Sequence, residues 1–530
     1  MAILIAILLP VWFVANHQMV ILYAQMDEHS DGEELYGIRV RILKKEIKNE
    51  KLRYTVKVTD EPDQKEDAGS SREHMIGRRG IVTSESTDLP VGGEAVIDIK
   101  LKELLPAQNE GGFDAKRYYA CQGITFYGGI TAYHGIKRGF PLQELLWDIR
   151  EETAAFYERE LPGEESGLMS AMALGDKGSL DSDVKELFSE AGIAHLLAVS
   201  GLHISIVGMG LYRLLRSQKL SYLAAGLISI FVVGCYGMMT GLSVSTLRAV
   251  IMFCVMIGGE CLGEAYDVGS AAALAAIIIL CGSPVAIFDV GFLFSFAAVF
   301  GIVYVAAPLQ KVYEKRRRNR FMDMAAPPQL STVERFVSAL IFGAGLQLAT
   351  LPVIAISYHR ISPYVILLNI LLLPFMGLLI GWGLFAGLLH LGGFLLLPCH
   401  CILYIYEMVS DLMLRMPGAV ITVGQPKVWQ VVLYFLLMAA GLLYVVLSFI
   451  VRFKGENFIH KLLPPVVVGP VIIAIGLILS PTAVNMATAK GIDSISETVA
   501  LIIAGISLVA TIIAIMFGKG ILRLIAILTG

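Results

Sequence analysis

The 530-residue chain is 56% apolar and only 16% charged, with a mean hydropathy of +0.68, whereas a water-soluble globule carries roughly 25% charged residues to cover its surface. That composition excludes a soluble enzyme, a disordered protein and a secreted disulfide scaffold, and it places the chain in a lipid bilayer. With 42 basic and 45 acidic residues the net charge is −3, so no global field recruits nucleic acid and any such attraction is local.

Residues 1–25 form one apolar run with neither a basic start nor a small-residue cleavage site, which favours a retained anchor helix over a removed signal peptide. Acidic residues follow, and residues 35–140 then change to period-two alternation: Tyr36-Gly-Ile-Arg-Val-Arg-Ile, Leu52-Arg-Tyr-Thr-Val-Lys-Val, Gly80-Ile-Val, Ala95-Val-Ile-Asp-Ile-Lys-Leu and Gly123-Ile-Thr-Phe-Tyr-Gly. Five such segments, separated by turn residues and a charged loop from Asp60 to His74, predict a small antiparallel barrel of the OB kind, which is a binding fold. Its surface is mixed in charge; Arg78, Arg79, Lys116 and Arg117 read either as phosphate contacts or as solvated loop charges. Residues 141–165 carry apolar positions at helical spacing with charges opposite, as expected of an amphipathic helix at the membrane interface.

A membrane region follows from 166 to 452. Its apolar runs predict spans near 193–214, 220–241, 245–262, 268–282, 285–308, 333–356, 363–382, 383–397 and 428–451, against the ~20 residues that a hydrocarbon core of ~30 Å requires. The densest cationic run, Lys315-Arg-Arg-Arg-Asn-Arg320, belongs in the cytoplasm by the positive-inside rule. Counting back five spans puts residues 26–140 outside; counting forward works if 398–416, with Glu407, Asp411 and Arg415, lies along the outer surface. Seven cysteines show no metal-site spacing, and Cys121 reads as a small core residue. The fold class expected is thus a polytopic α-helical membrane protein with an extracytoplasmic OB-like barrel near its N-terminus.

Within the membrane region, residues 175–204 are unusual for a lipid-facing helix, because His195, Ser200, Gly201 and His203 stand where leucine would be cheaper. On a helix Ser200 and His203 share a face, and such a polar face needs either a partner helix or water. Arg248 costs ~2.5–3.5 kcal/mol at a span's centre, so it faces a partner, a cavity or the headgroups, and Ser243 and Ser245 lie within its reach. An arginine at the mouth of a polar path suits a polyanion. Gln347, His359 and Arg360 read as further path lining or, for the last two, plain loop charge; Tyr236, Phe253 and Tyr266 read as stacking platforms or packing.

The stretch Gly175-Asp-Lys-Gly-Ser-Leu through Ala191-Gly-Ile-Ala-His-Leu-Leu-Ala-Val-Ser-Gly-Leu-His203 resembles the signature of the ComEC-type competence channel family. So do Thr240-Gly-Leu-Ser-Val-Ser-Thr-Leu-Arg-Ala-Val-Ile-Met252, Phe288-Asp-Val-Gly-Phe-Leu-Phe-Ser-Phe-Ala-Ala298 (with Leu293 where a glutamine is usual) and Leu346-Gln-Leu-Ala-Thr-Leu-Pro352 with the Tyr358–Pro374 stretch. The resemblance implies a membrane channel for single-stranded DNA during natural transformation, with the path residues named above, and with DNA, the lipid bilayer, a separate cytoplasmic ATPase and a DNA receptor as partners. No cofactor or metal is expected: the His-x-His-x-Asp-His pattern of the nuclease domain that many members carry is absent from this sequence, as is a GxxxxGK[ST] phosphate loop. Residues 455–530 (Lys461-Leu-Leu-Pro-Pro-Val-Val-Val-Gly-Pro onwards) resemble instead an internal piece of the uracil/xanthine permease family, as expected of a gene rearrangement or assembly join near 453–456. The alternatives are therefore a nucleobase permease-related protein and a non-functional hybrid.

Overall fold

The first helix, α1 (Ala2–Asp27), runs from the N-terminus directly into the barrel. The computed structural model describes residues 2–28, 31–48, 51–60, 75–85, 88–109, 112–320, 331–424, 426–427 and 429–438. Five strands follow α1: β1 (Glu34–Lys48), β2 (Lys51–Asp60), β3 (Arg79–Ser84), β4 (Glu94–Lys102) and, after the short helix α2 (Ala115–Cys121), β5 (Ile124–Lys137). They close in the order β1-β2-β3-β5-β4, antiparallel except for the parallel β3–β5 pair. All five alternating segments predicted from sequence lie on these strands, because alternation sends one set of side chains inward. Val40, Ile42, Tyr54, Val56, Val82, Ile97 and Ile99 are essentially fully buried in the barrel core. Closure also removes the free edges that an open sheet would expose.

The barrel is tied to α1 by charge and by packing. Arg78, 8% exposed, donates to Glu28 Oε2 at 2.7 Å, and Lys116 pairs with Asp27. Met19 and Met26 of α1 are buried with Ala120, Cys121 and Val285.

The helical part begins with α3 (Pro141–Glu160) and α4 (Gly163–Met169), whose end widens into a π turn over Ser170–Leu174. Next come α5 (Ser182–Glu190), α6 (Gly201–Ser217), α7 (Tyr222–Met239), α8 (Val244–Leu262), α9 (Val268–Gly282) and α10 (Val290–Phe300). A π turn joins α10 to α11 (Ala307–Arg320), and α12 (Thr332–Tyr358), strand β6 (Arg360–Ile361), α13 (Val365–Leu388), α14 (Leu397–Leu414) and strand β7 (Ile421–Thr422) complete the series. Among the described residues six helices are long and apolar enough to cross a membrane: Tyr222–Met239, Val244–Leu262, Val290–Lys315, Thr332–Tyr358, Val365–Leu388 and Gly393–Leu414. The chain is therefore a multi-pass helical membrane protein carrying a small closed barrel. Three buried tyrosines brace it by donating to main-chain carbonyls: Tyr157 to Gly383, Tyr236 to Ala173 and Tyr406 to Leu372, at 2.9, 2.8 and 2.6 Å. A separate unit begins at Lys427 and contains the short apolar helix Trp429–Met438.

Three expected spans and one expected surface segment need correction. The run 193–214 is not one helix: Ala194–Leu197 is a 3-10 turn, and α6 starts only at Gly201, because Ser200 and His203 cap its first turn. The run 363–382 continues without a break to Leu388 as α13, whose internal Pro374 is tolerated as neighbouring helices and local adjustment allow in a membrane, and the rest of 383–397 falls in a turn, the 3-10 turn Gly393–Leu396 and the start of α14. Residues 398–416 do not form a purely surface-lying segment, since Gly393–Leu414 has the length and apolarity of a span. The amphipathic helix expected over 141–165 forms as α3, with Phe156 and Tyr157 buried in the bundle core. The 61–74 loop, most of the 428–451 span and the whole 455–530 permease-like segment lie outside the described residues.

Candidate functional site

The start of α6, where Ser200 and His203 form its cap, packs against α8, with Gly201 facing Arg248. Ser200 is the N-cap of α6; its N–H donates to His203 Nδ1 at 3.1 Å, and its hydroxyl lies 2.9 Å from the same nitrogen. With Nδ1 accepting that N–H, the other ring nitrogen carries the proton of a neutral imidazole. That nitrogen, Nε2, is buried with no partner among the described residues. Gly201 brings the α6 backbone close to Arg248: a Cβ there would lie 3.4 Å from Arg248 Nη2. His195, on the preceding 3-10 turn, sets its ring 6.3 Å from that of Phe294.

The α8 side is built from hydroxyls and one cation. Ser243 caps α8 by accepting from Thr246 N–H at 3.2 Å, and Thr246 donates in turn to Val199 O. Ser245 bridges to Ser295 of α10 at 3.2 Å. Arg248 is 8% exposed, its Nε is buried without a partner, and no carboxylate pairs with it among the described residues. Its nearest compensation is the face of Phe296, 5.8 Å from the guanidinium carbon, worth about 0.5–2 kcal/mol and far less than a full counter-charge. A desolvated cation without a counter-charge, beside unmatched N–H donors, is an arrangement that an anion satisfies.

Other sequence candidates fall elsewhere. Gln347 lies mid-way along α12 and its side chain makes no hydrogen bond to this cluster among the described residues. His359 ends α12 in the left-handed conformation, and Arg360 is held by Glu190 at 2.6 Å, so its charge is already matched. On the barrel, Arg78 and Lys116 are engaged with α1, whereas Arg79 and Arg117 are exposed. Tyr236 and Phe253 pack in the bundle core, and Tyr266 is partly exposed. Sequence reasoning did not pick out Ser295 or Phe296, and neither has a signal of its own within the run from Phe288 to Ala298; Leu293 faces outward. It also passed over Glu165, buried on α4, which meets His400 of α14 at 2.5 Å.

Against known proteins, residues 172–448 match the competence protein family model and residues 408–530 match the permease family model, so the two overlap over 408–448. The permease match thus begins well ahead of residue 455. ComE operon protein 3 of Bacillus subtilis is 25% identical over 291 residues, covering 55% of this chain and 35% of that relative. Recombination protein 2 of Haemophilus influenzae is 31% identical over 115 residues, 21% of this chain and 14% of the relative. Uracil permease of Bacillus caldolyticus is 46% identical over 91 residues, 17% of this chain and 21% of the relative. The chain therefore spans well under half the length of each of these relatives, and no solved structure matches it. Since the competence match takes in more than half of the 530 residues, the chain belongs to the competence protein family.

Proposed function

We propose that the chain conducts single-stranded DNA across the cytoplasmic membrane during natural transformation. In this reading 1–25 is an anchor, the barrel over 35–140 is extracytoplasmic and binds DNA, 166–452 forms the path, and 455–530 is a permease-like addition. A separate cytoplasmic ATPase and a DNA receptor supply the driving force and the strand.

The observation that carries the reading is Arg248. A guanidinium buried in an apolar bundle, with no carboxylate paired to it among the described residues, is stabilised whenever a phosphate passes. The flanking Ser200, Ser245 and Ser295 hydroxyls and the His203 Nε2 offer polar contacts along the same seam. A charge-assisted contact worth about 1.5–3 kcal/mol corresponds to roughly ten- to hundred-fold in binding. Arg248→Ala is therefore expected to lower transformation by about ten-fold or more while membrane levels of the protein stay unchanged. Wild-type transformation by a well-expressed Arg248→Ala variant refutes the role.

A further inference from the structure

We infer that the end of the barrel bounded by β4, α2 and β5 carries a groove that takes the unpaired bases of a single strand on a run of four aromatic rings, Phe113, Tyr118, Tyr119 and Tyr127. The inference rests on the DNA-conducting reading above and deepens it, because it names which chemical part of the strand the barrel holds and where.

The groove follows from how the chain leaves β4. The loop after Lys102 is tied to α2 by the Lys116 N–H, which donates to Leu105 O at 3.4 Å, and it turns at Gly112, whose N–H donates to Asn109 O at 3.0 Å. Asp114 then caps α2 by accepting from the Arg117 N–H at 2.8 Å. Between this loop, α2 and β5 opens a groove of about 540 Å³, whose lining includes Lys102, Gln108, Asn109, Phe113, Tyr119 and Tyr127. That volume lies within the range of small-ligand sites.

The rings form a continuous ladder. The centroids of Phe113 and Tyr118 lie 5.2 Å apart, those of Tyr118 and Tyr119 also 5.2 Å, and those of Tyr119 and Tyr127 6.4 Å with the planes only 15° from parallel. Tyr119 is held in place: Arg53 of β2 donates to its hydroxyl at 2.8 Å and sets its guanidinium carbon 5.4 Å from the ring centre. Phe113, by contrast, is 71% exposed and Tyr118 45%. Contiguous bare rings on a rigid support gain free energy when a flat apolar partner covers them.

The chemistry around the ladder selects that partner. A base stacks on an aromatic face whatever its identity, provided that its strand is unpaired. Arg53, Lys102 and Arg117 have no carboxylate paired with them among the described residues, whereas Asp114 is occupied by the α2 cap, leaving Glu103 as the opposing charge in the lining. Phosphates flanking a stacked base meet this excess of cations. The side-chain amides of Gln108 and Asn109 match the polar edges of bases and would be left unsatisfied against acyl chains, so the groove fits a nucleotide better than a lipid tail.

The test compares binding of fluorescent oligothymidylate and of an abasic oligomer of equal length to the full chain in nanodiscs. The wild type should prefer oligothymidylate. The F113A/Y118A variant, which removes the two exposed rings, should lose about ten-fold or more in affinity for oligothymidylate and keep its affinity for the abasic oligomer. In a separate F113W variant the added indole fluorescence should be quenched by oligothymidylate and not by brominated lipid. An F113A/Y118A variant that keeps wild-type affinity for oligothymidylate, or that loses both oligomers equally, overturns the groove while leaving the DNA-conducting reading intact. Quenching of the added indole by brominated lipid alone overturns it in favour of a bilayer contact. Wild-type chain that binds neither oligomer sinks both readings together.

Discussion

Arg248 and Cys121 show how differently burial acts on two ionisable side chains. Arg248 keeps its charge because a guanidinium does not deprotonate in a protein, so its burial creates a demand for an anion. Cys121, the last residue of α2 and buried in the cluster with Met19 and Met26 of α1, is instead held as the neutral thiol: burial pushes it up to about 11. Since only the thiolate reacts, its maleimide labelling in the folded protein at pH 7.5 is expected to be about 100-fold slower than that of an ordinary cysteine and to rise about ten-fold per pH unit. Peptide mapping by mass spectrometry reads this rate, and labelling of Cys121 as fast as in the denatured chain contradicts the assignment. Arg248 was legible in the sequence because a cation inside an apolar run is anomalous by itself. Ser295 was not, because one hydroxyl among phenylalanines acquires meaning only when α10 brings it to Ser245.

At the scale of elements, strand alternation carried further than helix length. The barrel strands were legible because one buried face forces period two. The helix ends were not: α6 is set by a Ser200–His203 cap that hydropathy does not register. Close helix packing gives a direct test. A Cβ on Gly208 of α6 would lie 2.6 Å from Phe253 of α8 and from Val233 of α7, whereas one on Gly210 meets nothing within 4 Å. Gly208→Ala is expected to destabilise the detergent-solubilised protein by about 1–3 kcal/mol through overpacking. Gly210→Ala should be neutral or stabilising by about 0.5–1 kcal/mol, because alanine suits a helix interior better. Thermal unfolding of the two variants side by side checks the expectation, and equal midpoints contradict the packing described.

For the whole molecule, a closed barrel tied to α1 by the Arg78–Glu28 and Lys116–Asp27 pairs stands beside a bundle whose polar cluster lies at the α6–α8 contact. The competence match covers most of that bundle, and the permease match overlaps its end. A conduit for DNA and a nucleobase permease make opposite demands on cargo. The direct measurement is uptake of radiolabelled DNA and of radiolabelled uracil by cells carrying the gene, lacking it, or carrying only the Arg248→Ala form. The account predicts that deletion abolishes cytosolic DNA without changing uracil uptake, and that the Arg248→Ala form fails to restore DNA. Unchanged DNA import in the deletion strain, or a loss confined to uracil, contradicts it.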